Sequence, residues 1–375
     1  MPGRKRTTAT IKRAGKPDAF FVRQLNGEQS LQYSTALPLY ELAAELFAVR
    51  PWELLEDSEL FLLKDPVSGQ TCYCSVMGTL GEVFELLAYV GPESYRFLSR
   101  LVRGEHVEPE DFYRSTTGVS VEFVNTSEIT APDRELLKAF KHPMGRGLVA
   151  PQFRALRPGY GSWYPTNAEG ETLAACMEAL LALCERLTAD EFLYYWDKDK
   201  QGYYPFLTPV ATRKSGTEYA IELKRVEAPP APSPEPAILD EVRLRRIMEK
   251  DYPMRGALEA DCFDSGAWIG GNDERKALTY VGMVADAASG LLFAPQAGTV
   301  AEGTGNLAAR AILTAIEQLQ FLPNEIRVQN AELKAALAPF EQRMGIAIRA
   351  AKSIPALQQA RTALIRHMRG PGGMI

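Results

Sequence analysis

The chain has 375 residues, 46% hydrophobic and 24% charged, with a formal net charge of −5. That length allows two or three domains, each with its own core, and the mild acidity excludes a nucleic-acid partner held by bulk charge alone. No apolar run approaches the roughly 20 residues needed to span a bilayer, and no apolar stretch follows Met1-Pro2-Gly3-Arg4-Lys5-Arg6. Neither a membrane span nor a secretory signal is therefore expected, and the expected compartment is the cytoplasm.

Residues 1–16 carry six Lys or Arg and no acid, which reads as a disordered basic tail. Such a tail can contact nucleic acid or an acidic partner, but a solvated extension is the preferred reading. The first domain is expected over 36–226. Leu39, Leu42, Ala43, Leu46 and Phe47 fall at helical spacing. Glu59–Leu63 and Thr71–Met77 form a hairpin about a turn holding Pro66 and Gly69. Gly78-Thr79 leads into a helix expected over 80–90, and Pro92 opens another that ends near Gly104. Val119–Val124 alternates as a strand, and Thr130-Ala131-Pro132-Asp133 caps the next helix. Residues 141–170 are rich in Gly and Pro and carry Arg154, Arg157, Tyr160, Trp163 and Tyr164. Glu171–Leu187 is an apolar helix, Glu191–Tyr204 is aromatic-rich, and Pro205–Val226 is a hairpin turning at Lys214-Ser215-Gly216.

Five prolines between Glu227 and Pro236 make 227–237 a semi-rigid linker. The second domain, over 238–370, opens with a basic helix at Leu239–Glu249. Strands are expected at Ala257–Phe263, Lys276–Ala285 and Leu291–Pro295, joined by turns at Gly270–Asp273 and Asp286–Gly290. A helix through Leu307–Leu319, a strand at Ile326–Gln329, a helix at Glu332–Met344 and a strand at Ile346–Ala350 follow. Leu357, Ala360, Leu364 and Ile365 then give a basic amphipathic helix. It can touch nucleic acid, but docking on its own sheet is preferred. The fold class is thus an α+β first domain and a mixed-sheet α/β second domain.

Three antiparallel strands followed by alternating helix and strand, with Ala260-Asp261-Cys262 and the hairpin Tyr280–Gly290, resemble the ribonuclease H-like core of retroviral integrases and related transposases. The resemblance runs from Glu259 to Ala351. It implies three carboxylates holding two divalent metals, which polarise a phosphate and activate the attacking hydroxyl. Asp261 matches the first carboxylate. Gln329-Asn330 stands where the second belongs, and no Asp or Glu follows Glu341, so the third is missing. Asp264 falls on the opposite face of a continuing strand, and Asp286 is expected to serve its turn. The whole chain also resembles a two-domain family of bacterial cytoplasmic proteins built from domains of unknown function. The matching segments are Leu39-Tyr40-Glu41-Leu42-Ala43, Pro51-Trp52-Glu53, Met77–Phe84, Phe153-Arg154, Arg157-Pro158-Gly159-Tyr160, Ala285–Gly290 and Glu325-Ile326-Arg327-Val328. This resemblance imports no activity.

Other candidates are weaker. Arg157, Tyr160 and Trp163 join a guanidinium to aromatic rings in one loop, a set that can stack bases or grip an anion, although such rings also pin a loop to its core. Gly78–Gly81 and Ala301–Asn306 lack the rest of a nucleotide fingerprint, and Thr304 or Asn306 reads as a helix cap. The five cysteines read as reduced thiols, buried in the case of Cys176 and Cys184. The three histidines are scattered, without a metal set or a triad. The sequence therefore leans away from an enzyme and toward a binding or adaptor protein with a degenerate ribonuclease H-like domain and no cofactor; it does not identify the partner, for which a protein and a weak nucleic-acid contact through the basic termini both stay open. The alternatives are a metal-dependent nucleic-acid enzyme using Mg²⁺ at Asp261, and a nucleic-acid-binding protein using the basic termini.

Overall fold

A computed structural model describes residues 28–107, 109–189, 202–213, 216–230, 233–272, 274–293 and 295–369. The basic segment 1–16, Lys214, Ser215 and most of 191–204 lie outside the described residues, as do the side chains of Leu364, Ile365 and His367. The chain divides into two units. The first holds Met1–Pro158, Ser162–Pro229 and Asp273–Arg275, and the second holds Gly159–Gly161, Pro230–Asn272 and Lys276–Ile375.

In the first unit, α1 (Tyr33–Val49) precedes β1 (Phe61–Lys64), β2 (Thr71–Met77) and β3 (Glu85–Val90). Then come α2 (Gly91–Val102), α3 (Pro109–Ser115), β4 (Gly118–Asn125), α4 (Ala131–Ala139), β5 (Val149–Leu156), α5 (Asn167–Leu187), β6 (Tyr203–Arg213) and β7 (Gly216–Arg225). The strands form one sheet in the order β5-β4-β3-β2-β1-β6-β7. Its pairs are antiparallel except β1 with β6. Alternation along each strand sends Phe61, Leu63, Cys72, Cys74 and Ala88 to the face where Leu39, Leu173 and Leu180 of α1 and α5 also pack. Leu62, Tyr73, Leu87 and Tyr89 take the opposite face, with Tyr95 and Leu98 of α2. Asp65, 1% exposed, locks the β1–β2 turn by accepting the Ser68 N–H (3.0 Å), and it ties the turn to α5 through the Thr172 hydroxyl (3.0 Å). The Thr166 capping box with Glu169 starts α5, and the Thr130 hydroxyl starts α4.

One expectation fails here, and one strand has no counterpart among the expected elements. Residues 80–90 are not a helix: 85–90 is β3, paired on both sides, and the chain turns at Gly78. Gly78 has φ 147°, and a Cβ there would lie 2.7 Å from Trp52 Cβ. Leu86-Leu87-Ala88 favours helix locally, but both faces of the strand are buried and the two flanking strands decide. The strand β5 was not visible within the Gly/Pro-rich 141–170, although Pro151 is tolerable because β5 is an edge strand.

In the second unit, α6 (Glu241–Met248) leads to β8 (Ala257–Ile269), β9 (Ala277–Asp286), β10 (Gln296–Thr299), α7 (Thr304–Leu319), β11 (Glu325–Val328), α8 (Ala331–Ala336), α9 (Ala338–Met344), β12 (Ala347–Ala350) and α10 (Pro355–Arg369). The sheet order is β10-β9-β8-β11-β12. The strands β8, β9 and β10 are antiparallel, while β11 runs parallel to both β8 and β12. One face packs on α7 through Leu258, Ala260, Val284 and Ile312. The other face packs on α10 through Phe263, Met283, Ile354 and Leu357. Gly282 allows α7 to approach, since a Cβ there would meet the Leu307 backbone at 2.7 Å.

Three boundaries differ from expectation. The third strand is 296–299 rather than 291–295: after the turn at Asp286, the described residues of that stretch give an isolated Leu292 bridge to Ala285 and a Phe293 N–H bond to Val284, not a strand. The helix expected over 332–344 is two helices, broken where Pro339 opens the second. Thr304 does not cap α7. Gly303 stands at that position with no side-chain cap, and Asn306 instead accepts the Ile238 N–H at 2.7 Å. No helix among the described residues is long and apolar enough to cross a membrane.

Candidate functional site

Asp261 lies in β8, level with Met283 of β9. The period of two places Glu259, Asp261 and Phe263 on the α10 face. There the buried Glu259 accepts the Leu357 N–H at 3.2 Å. A carboxylate suits this place, because it meets the unpaired N–H groups and positive end of a helix. One turn along, Arg361 lies on the same helical face as Leu357. Its Nη1 is 3.8 Å from Asp261 Oδ2, and its guanidinium sits 4.8 Å from the Phe263 ring centroid. Asp261 Oδ1 also accepts the Cys262 N–H at 2.9 Å. Burial pushes the Asp261 carboxyl above the usual range, and Arg361 and the Cys262 N–H recover only part of that shift.

The parallel register pairs Arg327 with Glu259. Two residues on, Gln329 follows the strand end at the level of Asp261. Its Nε2 donates to the Lys352 carbonyl at 2.8 Å. The groups in contact with Asp261 are thus the Arg361 guanidinium and the Cys262 N–H, with the helix-bound Glu259 one strand period away on the same face. Mg²⁺ sites draw on carboxylates and waters, whereas a guanidinium repels a cation. Among the described residues, no group of three or more His, Cys, Asp or Glu is placed to hold a metal ion. Asp286 serves its turn, accepting the Ser289 N–H (2.7 Å) and hydroxyl (2.6 Å), and these bonds hold its carboxyl below the usual range. Asp264 bonds the Gly266 N–H at 2.7 Å, where β8 shifts register.

The aromatic loop is distributed differently from its sequence appearance. Arg157 belongs to the first unit, where Nη1 donates to Glu28 (2.6 Å) and Nε to Glu169 (2.9 Å). Two carboxylates therefore occupy its guanidinium, and Glu169 is at the same time the α5 capping residue. Trp163, in the same unit, exchanges backbone hydrogen bonds with Ala155 (2.7 and 3.0 Å) and stands edge-on to Tyr164 at 5.4 Å. Tyr160 groups with the second unit and bridges Ala277 through its backbone.

Several polar groups escaped sequence reasoning. Glu259 carried a signal, being two residues before Asp261 and hence on its face. Arg361 also carried one, at i+4 from Leu357. In the first unit, Asp133 and Arg154 form a bidentate pair (3.0 and 2.6 Å), and Gln152 adds a longer bond to Asp133. Glu85 faces Glu122 across β3 and β4. Burial and the Glu122 charge raise its carboxyl to about 7 against a restraining bond from Ser120. The expected helix over 80–90 concealed that pairing. All five cysteines are free, and four are buried.

Residues 37–204 match the model of a domain of unknown function (DUF7309), and residues 243–365 match that of a second (DUF6930). No curated protein and no solved structure matches the chain. The chain is a two-domain protein in which one domain of unknown function, DUF7309, precedes another, DUF6930.

Proposed function

We propose that this is a non-catalytic binding or adaptor protein of the bacterial cytoplasm, whose second unit is a ribonuclease H-like domain without metal chemistry. The element order of that unit, three antiparallel strands and then alternating helix and strand, supports the fold reading. One observation carries the functional reading. The terminal helix brings Arg361 to Asp261, so a cation stands beside the single carboxylate that matches the integrase pattern. Gln329 adds no charge at the second position. Asp261 then acts as a docking residue for α10 rather than as a metal ligand.

The test is cleavage of labelled DNA and RNA by the purified chain in Mg²⁺ and in Mn²⁺, alongside Asp261→Asn. The reading expects the same background in both proteins. Cleavage by the parent chain that disappears in Asp261→Asn would overturn it in favour of a metal-dependent nucleic-acid enzyme.

A further inference from the structure

In the first unit, the end of α1, the 3-10 turn Pro51–Glu53 and the 78–84 turn meet around Trp52. Trp52 is buried, with Phe84 at 4.7 Å, Phe123 at 5.7 Å and Phe47 at 5.9 Å between ring centroids. Above this aromatic base the surface is unusually apolar. Leu80 is 86% exposed, Val83 44%, Val49 42%, Phe47 41% and Leu54 37%. Val49 and Leu54 flank the 3-10 turn in the chain, and Leu80 and Val83 belong to the turn whose Phe84 meets Trp52; exposed apolar groups concentrated on such short segments mark an interaction surface rather than ordinary surface scatter.

Exposed acids dominate the surrounding charge. Glu53, Glu56, Asp57 and Glu82 are all exposed. The Ser75 hydroxyl, donating to the Asp57 carbonyl at 2.8 Å, fixes the 54–60 loop beside β2, which leads into the 78–84 turn. The nearby base Arg50 is engaged by Glu53 at 2.8 Å. A nucleic acid or an anionic lipid surface carries the same sign as this rim and is repelled by it. A helix with leucine-type residues on one face and Lys or Arg beside them supplies both complements: apolar knobs for Leu80, Val83 and Phe47, and cations for the rim.

We propose that this tip of the first unit is the docking surface for a cationic amphipathic helix of a partner protein. The proposal rests on the binding reading above and names the partner's chemistry. It has its own test, because nuclease activity would sink that reading without bearing on peptide binding here.

The probe is a fluorescein-labelled peptide of about 18 residues with Leu at i, i+3, i+4 and i+7 spacing and Lys elsewhere, against a scrambled peptide of the same composition. Anisotropy is read with the full chain at low salt and near physiological salt. The patterned peptide is expected to bind, more weakly as salt rises, and the scrambled one at least about tenfold less tightly. Leu80→Ser with Val83→Ser is expected to weaken binding by about tenfold or more, and Glu56→Lys with Glu82→Lys likewise. These side chains are exposed, so the melting temperature of each variant should match the parent and separate lost binding from lost fold. Equal affinity for patterned and scrambled peptides, or unchanged affinity in both variants, overturns the proposal. Binding of duplex DNA or anionic vesicles that is lost in the same variants overturns it too.

Discussion

Replacing Glu85 by Gln should stabilise the protein at neutral pH and flatten its pH dependence. Glu85 sits on β3 opposite Glu122 of β4, with Met77 of β2 on its other side, and its carboxyl is raised from 4.5 to about 7. Burial is the main cause, the facing carboxylate adds to it, and the Ser120 bond opposes it. Because the folded-state value is the higher one, the folded chain holds more protons than the unfolded chain between these limits. Stability is then greatest below the unfolded value and falls as pH rises through the folded one. With about 1.4 kcal/mol per unit, the linkage integral removes about 2 kcal/mol between pH 5 and pH 7, and little more above pH 8. Urea unfolding of the parent and Glu85→Gln at closely spaced pH values gives the difference, from which the titration of other groups cancels. The variant should gain about 2 kcal/mol on the parent across that window. A constant difference, or a parent that gains stability on Glu85 as pH rises, would refute the burial argument.

Other sites give sharper local outcomes. Asp133→Ala leaves Arg154 unpaired at a largely buried position and should cost about 3 kcal/mol in urea unfolding, with Arg154→Met in the same background recovering part of it. Gly282→Ala forces a Cβ against the Leu307 backbone and should cost about 2 kcal/mol or more, read as a lowered melting temperature. Thr166→Ala removes the α5 capping hydroxyl and should cost about 1 kcal/mol by the same measurement.

Much of the architecture was legible because alternating strands and capped helices announce themselves. Thr71–Met77, Val119–Val124, the 257–263 segment and the Thr130 cap are examples. The misread segment, 85–90, has no alternation because both of its faces are buried. Its neighbour β5 contains a proline that only an edge strand tolerates. Pro339 falls inside the segment read as one helix, where it opens a second helix instead. The site was half legible. Asp261 and Gln329 could be related by strand order, since Asp261 lies in β8 and Gln329 directly follows the neighbouring β11. Arg361 lies 100 positions after Asp261 in the numbering, and only the docking of α10 brings the two charges together. Likewise, nothing local shows that Arg157 is held by Glu28 and Glu169, which turns an apparent anion grip into a structural clamp.

The central claim is that Asp261 is a docking carboxylate and not a metal ligand. Mn²⁺ binding, followed by water proton relaxation in the parent chain, in Asp261→Asn and in Gln329→Asp with Arg361→Glu, tests it most directly. The parent and Asp261→Asn should be indistinguishable, and the two-residue variant, which rebuilds an acid at each missing position, should gain a site. A site in the parent that Asp261→Asn abolishes would contradict the claim.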